Sequence, residues 1–355
     1  MKLEDFGYND TIKQLRTQHH FSEFEIGRVI SEHKERYTVK TEQGDLDAEI
    51  TGNLRYTAQS RMDFPAIGDW VAISEYDDHK VLIHFVYPRK SIIKRQAIGK
   101  TGEQQVIATN IDVAFIVQAV DRDFNINRLE RFLTICNASQ VKPIIILNKI
   151  DLIDDITLNQ LLTKVKTRVA EVPIMAISNS SKTGIENVKA HIEKGKTYCL
   201  LGSSGVGKSS LLNNLAGKAL MKTNTISSST NKGRHVTTHR ALIVLEHGGI
   251  IIDNPGIREV GIADAAGGID KTFEKILVLA DQCKFKNCSH TIETGCAVIT
   301  AVEGGELDQL FYENYLKMKR EEEHFETTVA EKRKKDKDFG KMVRQMKHLK
   351  QSRKY

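Results

Sequence analysis

A chain of 355 residues, 40% hydrophobic and 28% charged, has the composition of a globular protein of two or three domains rather than a disordered or fibrous one. No apolar run approaches the roughly 20 residues of a membrane helix, the N-terminus Met1-Lys2-Leu3-Glu4-Asp5 lacks the apolar core of a secretory signal, and five cysteines argue against a disulfide framework, so a cytoplasmic protein is expected. The net charge of +6 is uneven: Lys332 to Tyr355 hold 11 Lys or Arg against Asp336 and Asp338, a net +9, leaving −3 on residues 1–331, so the tail is the part that would attract a phosphate-rich partner.

In the first hundred residues, short alternating segments run from Arg28 to Ile30, Tyr37 to Thr41, Leu46 to Ile50, Asp69 to Ile73 and Val81 to Val86. Turn formers such as Gln43-Gly44-Asp45 and Ile67-Gly68-Asp69 separate them. Five short strands in that space predict a small antiparallel β-barrel, with an OB-fold as the leading candidate. Trp70, the only tryptophan, reads as a core residue of one strand.

From Ile111 the pattern changes to apolar runs at Val113–Val117, Ile144–Leu147, Pro173–Ile177, Tyr198–Leu201 and Ile250–Ile252. Helix-like stretches lie between them, including Asn127–Asn137, Thr157–Ala170 and Lys208–Leu215. Strands apolar on both faces and alternating with helices predict a parallel α/β sheet. Nucleotides bind such sheets beyond the carboxyl ends of the strands, and the motifs fall there.

Asn148-Lys149-Ile150-Asp151 follows the second of these strands. An N-K-x-D string arises by chance in roughly one such chain in ten, so its chemistry matters more than its occurrence. The Asp151 carboxylate can accept hydrogen bonds from N1–H and the exocyclic amine of guanine, donors that adenine lacks. Ser178, after the third strand, with Asn179 offers either a base-edge loop or a simple turn or helix cap. Gly202-Ser203-Ser204-Gly205-Val206-Gly207-Lys208-Ser209, continued by Ser210, is a complete phosphate loop between a strand and a helix. Its glycines let backbone N–H groups close around phosphates at a helix N-terminus. Lys208 is expected to reach the β- and γ-phosphates and Ser209 to ligate Mg²⁺. Asp253-Asn254-Pro255-Gly256 ends the next strand about fifty residues on, where Asp253 would join the Mg²⁺ shell and Gly256 admit the backbone to the γ-phosphate. An ATPase carrying N-K-x-D by chance remains the rival reading.

Cys283-x4-Cys288-x-His290-x5-Cys296 then places three of the five cysteines within fourteen residues. Three thiolates and one imidazole suit a tetrahedral structural zinc with no open position. Cys136 and Cys199, in apolar contexts, read as core. In the tail, Met342, Val343, Met346 and Leu349 recur at near-helical spacing among Lys341, Arg344, Lys347 and Lys350. An RNA-binding helix is favoured there, while a membrane-surface helix or a solvated tail fits the same composition.

The guanine elements at 148 and 178 precede the phosphate loop at 202, the reverse of the usual order, which resembles the circularly permuted GTPases. With the barrel and the cysteine cluster the chain resembles the RsgA family, the ribosome small-subunit-dependent GTPases, along nearly its whole length. The resemblance implies three parts: an OB-fold RNA-binding domain over 1–105, a circularly permuted P-loop GTPase domain over 106–270, and a mainly helical zinc-binding domain with a basic tail over 271–355. It implies binding of GTP/GDP, Mg²⁺ and one Zn²⁺, and association with the 30S ribosomal subunit and 16S rRNA during late assembly. GTP hydrolysis to GDP and phosphate would be slow in the free protein, stimulated by the subunit and coupled to release. A non-enzymatic RNA-binding protein stabilised by nucleotide is the alternative; nothing demands a dimer, so a monomer is expected. By the same resemblance Gly233-Arg234-His235-Val236-Thr237-Thr238 is the switch segment, with Thr237 or Thr238 closing over Mg²⁺ and the γ-phosphate and Val236 standing where relatives carry a third Thr. Ile257 replaces the glutamine by which many GTPases orient the attacking water. His235 is then the candidate to position it.

Overall fold

The structure, a computed structural model, describes residues 2–19, 21–33, 35–96, 104–121, 124–169, 171–220, 241–253, 267–325 and 331. The switch residues His235, Thr237 and Thr238, the turn residues Gly256 and Ile257, and the basic tail from Lys332 lie outside them.

A 3-10 turn (Leu3–Phe6) precedes helix α1 (Asp10–Gln18), which is capped by the Asn9 side chain, the acceptor of the Ile12 N–H at 3.2 Å. Strands β1 (Glu25–His33), β2 (Arg36–Lys40), β3 (Asp45–Ile50), β4 (Trp70–Asp77) and β5 (Lys80–Val86) follow, with helix α2 (Gly52–Thr57) after β3. They close a barrel in the order β1-β2-β3-β5-β4, β4 returning to β1 through Arg28↔Trp70. In β3 the alternation is complete: Leu46, Ala48 and Ile50 point inward, Asp45, Asp47 and Glu49 outward. One expectation is corrected, because β3 and β5 pair in parallel, Ala48 opposite Val81. An odd number of strands cannot close a ring with every neighbour antiparallel, so a five-stranded barrel must hold a parallel pair. Trp70 is in the core as expected, 2% exposed and edge-on to Tyr8.

A hairpin of β6 (Ile92–Gln96) and β7 (Gln104–Thr109) leads into the second layer. Its elements are β8 (Val113–Ala119), α3 (Ile126–Ala138), β9 (Lys142–Asn148), α4 (Asp155–Arg168), β10 (Ile174–Ile177), α5 (Ile185–Ala190), β11 (Thr197–Leu201), α6 (Lys208–Ala216), β12 (Ala241–Val244) and β13 (Ile250–Asp253). The sheet order is β10-β9-β8-β11-β13-β12, parallel throughout except for the edge strand β12. Both faces are buried, which accounts for the unbroken apolar runs: Ala114, Ile116, Cys199 and Leu201 enter one cluster, Phe115, Val117, Tyr198 and Leu200 the other. Cys136 and Cys199 are fully buried in the first cluster, and burial pushes both thiols up, as suits core residues.

The last part is helical among the described residues: α7 (Gly268–Thr272), α8 (Glu274–Ala280), α9 (Ala297–Glu303) and α10 over 309–325. Ile269, Phe273, Ile276, Val298, Phe311, Tyr315 and Met318 form its core. α7 is seated directly on α3, since a Cβ at Gly268 would lie 2.3 Å from the Thr134 carbonyl oxygen.

Candidate functional site

The parallel direction of β8, β9, β10, β11 and β13 puts their carboxyl ends on one edge of the sheet, where the motif residues fall. β11 runs into the phosphate loop, where Gly202, Gly205 and Gly207 have φ of 144°, 82° and 99°. These conformations penalise any residue with a Cβ. At Gly202 a Cβ would also fall 2.3 Å from the Val117 carbonyl oxygen, so the loop packs directly against β8. α6 is anchored from beneath by Leu211, Leu212 and Leu215, all essentially buried, each contributing about 2 kcal/mol. The loop's N–H groups are thereby fixed at a helix N-terminus, where anions bind. Lys208 is buried and its Nζ donates to the carbonyls of Gly202 (2.7 Å) and Ser203 (2.5 Å), which holds the cation against the loop. Val206 is buried, Ser204 is exposed, and Ser209 and Ser210 sit half-buried in the first turn of α6. Asp253 ends β13, the neighbour of β11, one strand from the phosphate loop on the same edge.

The guanine elements lie on the other side of that loop. Asn148, 1% exposed at the end of β9, donates Nδ2 to the Val206 carbonyl at 2.7 Å and accepts the Asn179 N–H on Oδ1 at 3.2 Å. Lys149 adopts a left-handed conformation, φ 68°, and its Nζ is 2.8 Å from Asp121 Oδ2 at the end of β8. Asp151 is exposed in the short 3-10 turn Ile150–Leu152. Ser178 is wholly buried, and its hydroxyl accepts the Ser181 N–H at 3.1 Å, so this side chain shapes the turn. Asn179 Nδ2 instead reaches the phosphate loop, donating to the Gly207 carbonyl at 3.0 Å, and Asn214 of α6 donates to the Asn179 carbonyl (3.2 Å) and Oδ1 (3.1 Å). The site thus brings together Asn148, Lys149, Ser178 and Gly202–Ser210. Asp121 and Asn214 had no signal in the sequence beyond being polar.

The second site is the cysteine cluster. The ligand atoms of Cys283, Cys288, His290 and Cys296 all lie within 4.8 Å of one another. A tetrahedral zinc with bonds of about 2.3 Å to sulfur and about 2.0 Å to nitrogen needs S···S near 3.8 Å and S···N near 3.5 Å. Cys283 Sγ is 3.8 Å from Cys296 Sγ and 3.6 Å from His290 Nδ1, and Nδ1 is 3.4 Å from Cys296 Sγ. The donor set fits zinc in both spacing and chemistry, with Nδ1 as the nitrogen ligand. Burial pushes the Cys283 thiol up, but the backbone N–H groups of Val298 and Ala297 at the start of α9 bring it below its ordinary value, while burial and the neighbouring Cys296 and Cys283 push the Cys288 thiol up to about 11. His290 is 8% exposed, and Tyr312 holds it by donating to its carbonyl at 2.5 Å.

The RsgA GTPase family model matches residues 86–263. An ABC transporter model matches residues 185–351, a span that takes in the phosphate loop but not Asn148–Asp151. A small ribosomal subunit biogenesis GTPase, RsgA 1 of Bacteroides thetaiotaomicron, is 38% identical over 98% of this chain and 97% of its own. RsgA 2 of Lactiplantibacillus plantarum, which carries the same description, is 42% identical over 83% of each chain. The crystal structure of YjeQ from Thermotoga maritima superposes with a TM-score of 0.61 at 26% identity, over 84% of this chain and 98% of that one. That of YloQ, described as a circularly permuted GTPase, gives a TM-score of 0.61 at 24% identity over 86% and 97%, a likeness of fold.

Proposed function

We propose that this chain, which belongs to the RsgA GTPase family and is a GTP hydrolase, acts as a late assembly factor of the 30S ribosomal subunit that binds 16S rRNA. The observation that carries the reading is the joining of a guanine-type Asn-Lys-x-Asp loop to a phosphate loop through Asn148 and Val206, in a chain whose relatives are named for small-subunit biogenesis. Within it, residues 1–105 would be the OB-fold RNA-binding domain, 106–270 the GTPase domain and 271–355 the zinc domain with its basic tail.

Asp151 selects guanine by accepting hydrogen bonds from the base's N1–H and exocyclic amine, and the asparagines keep that carboxylate's loop in register with the phosphate loop. Lys208 and the loop N–H groups bind the β- and γ-phosphates and face the charge that develops as the γ-phosphoryl leaves. The hydroxyl of Ser209 and the carboxylate of Asp253, both hard oxygen donors, would hold Mg²⁺. Bound there, Mg²⁺ would supply positive charge against the phosphates. His235 orients water for in-line attack, since Ile257 has no group to do so, and Thr237 or Thr238 closes the loop while the γ-phosphate is present. Zinc in the Cys283, Cys288, His290 and Cys296 cluster is structural, because its four positions are filled by protein. The protein works as a cytoplasmic monomer, and among the described residues no helix is long and apolar enough to cross a membrane.

Phosphate release from GTP, measured with and without purified small subunits, tests the reading. Stimulation by small but not large subunits is expected, together with co-sedimentation that is stronger with a non-hydrolysable GTP analogue than with GDP. Equal rates in the presence and absence of small subunits would overturn it.

A further inference from the structure

We propose that Asn179 and Asn214 are positioning residues for the guanine nucleotide: in series with Asn148, they lock the base-edge loop and the phosphate loop into one rigid unit. The inference rests on the chain binding guanine nucleotide at these loops.

Asn214 lies on α6 seven residues beyond Gly207, two turns along the same helix face. Its amide nitrogen reaches both the carbonyl and the Oδ1 of Asn179, at 3.2 and 3.1 Å. Asn179 passes the constraint on in two directions. Its Nδ2 donates to the Gly207 carbonyl at 3.0 Å, and its backbone N–H donates to Asn148 Oδ1 at 3.2 Å. Asn148 Nδ2 completes the circuit on the Val206 carbonyl at 2.7 Å. Three asparagines from β9, the loop after β10 and α6 are therefore linked to one another, Asn179 to Asn148 through its backbone N–H and to Asn214 through its carbonyl and Oδ1, and their amides hold two consecutive phosphate-loop carbonyls.

The direction of those carbonyls is what matters. Across a trans peptide the carbonyl oxygen and the following N–H point to opposite sides. Holding the Val206 and Gly207 carbonyls toward the asparagines turns the Gly207 and Lys208 N–H groups the other way, as donors at the start of α6. A Cβ at Gly207 would lie 2.3 Å from Asn148 Nδ2 and 2.8 Å from Asn179 Nδ2, so both amides approach the loop as closely as only glycine allows. Neither Asn179 nor Asn214 belongs to the Asn-Lys-x-Asp or phosphate-loop motif. Loosening either lets the two halves of the site drift apart, which weakens the hold on the whole nucleotide without removing any group that acts on the γ-phosphate.

The experiment compares full-length wild type with Asn179→Ala, Asn214→Ala and the double variant, by GDP titration and by steady-state GTP hydrolysis. About a tenfold loss of GDP affinity is expected in each single variant, the effect of one missing hydrogen bond. KM should rise by the same factor with kcat unchanged. The double variant should lose no more than the weaker single, because the residues act in series. Asn214→Gln, which keeps the amide, should recover part of the loss, and Asn214→Leu, which keeps only bulk, should recover none. Wild-type GDP affinity in both alanine variants, additive losses in the double variant, or rescue by Leu as good as by Gln would each overturn the proposal. Failure of the wild type to bind GDP would overturn the guanine-nucleotide reading instead.

Discussion

Gly207 and Gly205 both have positive φ, 99° and 82°, yet they answer to different constraints. A Cβ at Gly205 meets nothing within 4 Å, so Gly205→Ala should cost about 1 to 2 kcal/mol of left-handed strain. A Cβ at Gly207 collides with the Asn148 amide at 2.3 Å, so Gly207→Ala must also push β9's loop from the phosphate loop. GDP titration of the two variants should therefore show the larger loss at Gly207, and equal losses would mean that strain alone sets both positions. The metal cluster is also decided residue by residue. His290 is left-handed, φ 58°, and that conformation, with the Tyr312 hydrogen bond, presents Nδ1 to the sulfurs. Cys288→Ser should lower bound zinc by about one equivalent per chain, measured by elemental analysis, because two thiolates and one imidazole hold it far less well than three thiolates and one imidazole. Full retention of zinc would remove the cluster as its site.

Between elements, one buried network fastens the GTPase sheet to the C-terminal helices. Glu130 of α3 is fully buried, and it accepts Arg168 Nε of α4 at 2.7 Å and Asn314 Nδ2 of α10 at 2.5 Å. Arg168 reaches Asp308 at 2.7 Å and lies over the Phe311 ring, 5.0 Å from its centre. Burial lifts Glu130 to about 7, although the guanidinium and the Asn314 amide favour its charged form. The folded protein then holds a proton that the unfolded chain releases at lower pH, so this stabilisation is full below the ordinary carboxylate range and is lost as pH rises through about 7. Thermal melts from pH 5 to pH 8 should show wild type losing stability relative to Glu130→Gln, by up to about 3 kcal/mol. A pH-independent difference would show that the carboxyl does not titrate there. Little of this network was legible in the sequence, whereas the strands around it were. The five barrel strands and the buried sheet strands announce themselves by a period of two or by unbroken apolar runs, which are local. The β6–β7 hairpin, the four-residue β12 and α1 carry no such signal, because pairing and packing rather than pattern define them. The same holds at the site: Asn148 and Lys208 stand in motifs, while Asn214 is an ordinary helix polar residue until the fold brings Asn179, 35 positions away, against it.

At the scale of the molecule, Arg28 joins barrel and sheet. It is 1% exposed, donates to the carbonyls of Phe6 and Gly68 and to Thr197 Oγ1 at the start of β11, and faces the Trp70 ring. Burial draws it down to about 10 while Asp112 and Asp69 pull the other way, so it stays charged at neutral pH. A barrel fixed to the GTPase sheet in this way moves with it, and a partner gripped by the barrel is gripped relative to the nucleotide. What residues 1–331 lack is a surplus of positive charge, for they sum to −3 and the +9 lies in residues 332–355. Attraction to a polyanion then comes from the tail, and its strength must depend on salt through the counterions that each neutralised phosphate releases. Removing residues 332–355 should weaken binding to small subunits most at low salt. It should also flatten the plot of log affinity against log salt by about 0.9 for every phosphate that the tail neutralises. Nucleotide affinity should be unchanged, since no motif of the site lies beyond residue 331. A truncated chain that kept the wild-type salt slope would place the small-subunit contact within residues 1–331, with the tail's charge serving no part of recognition.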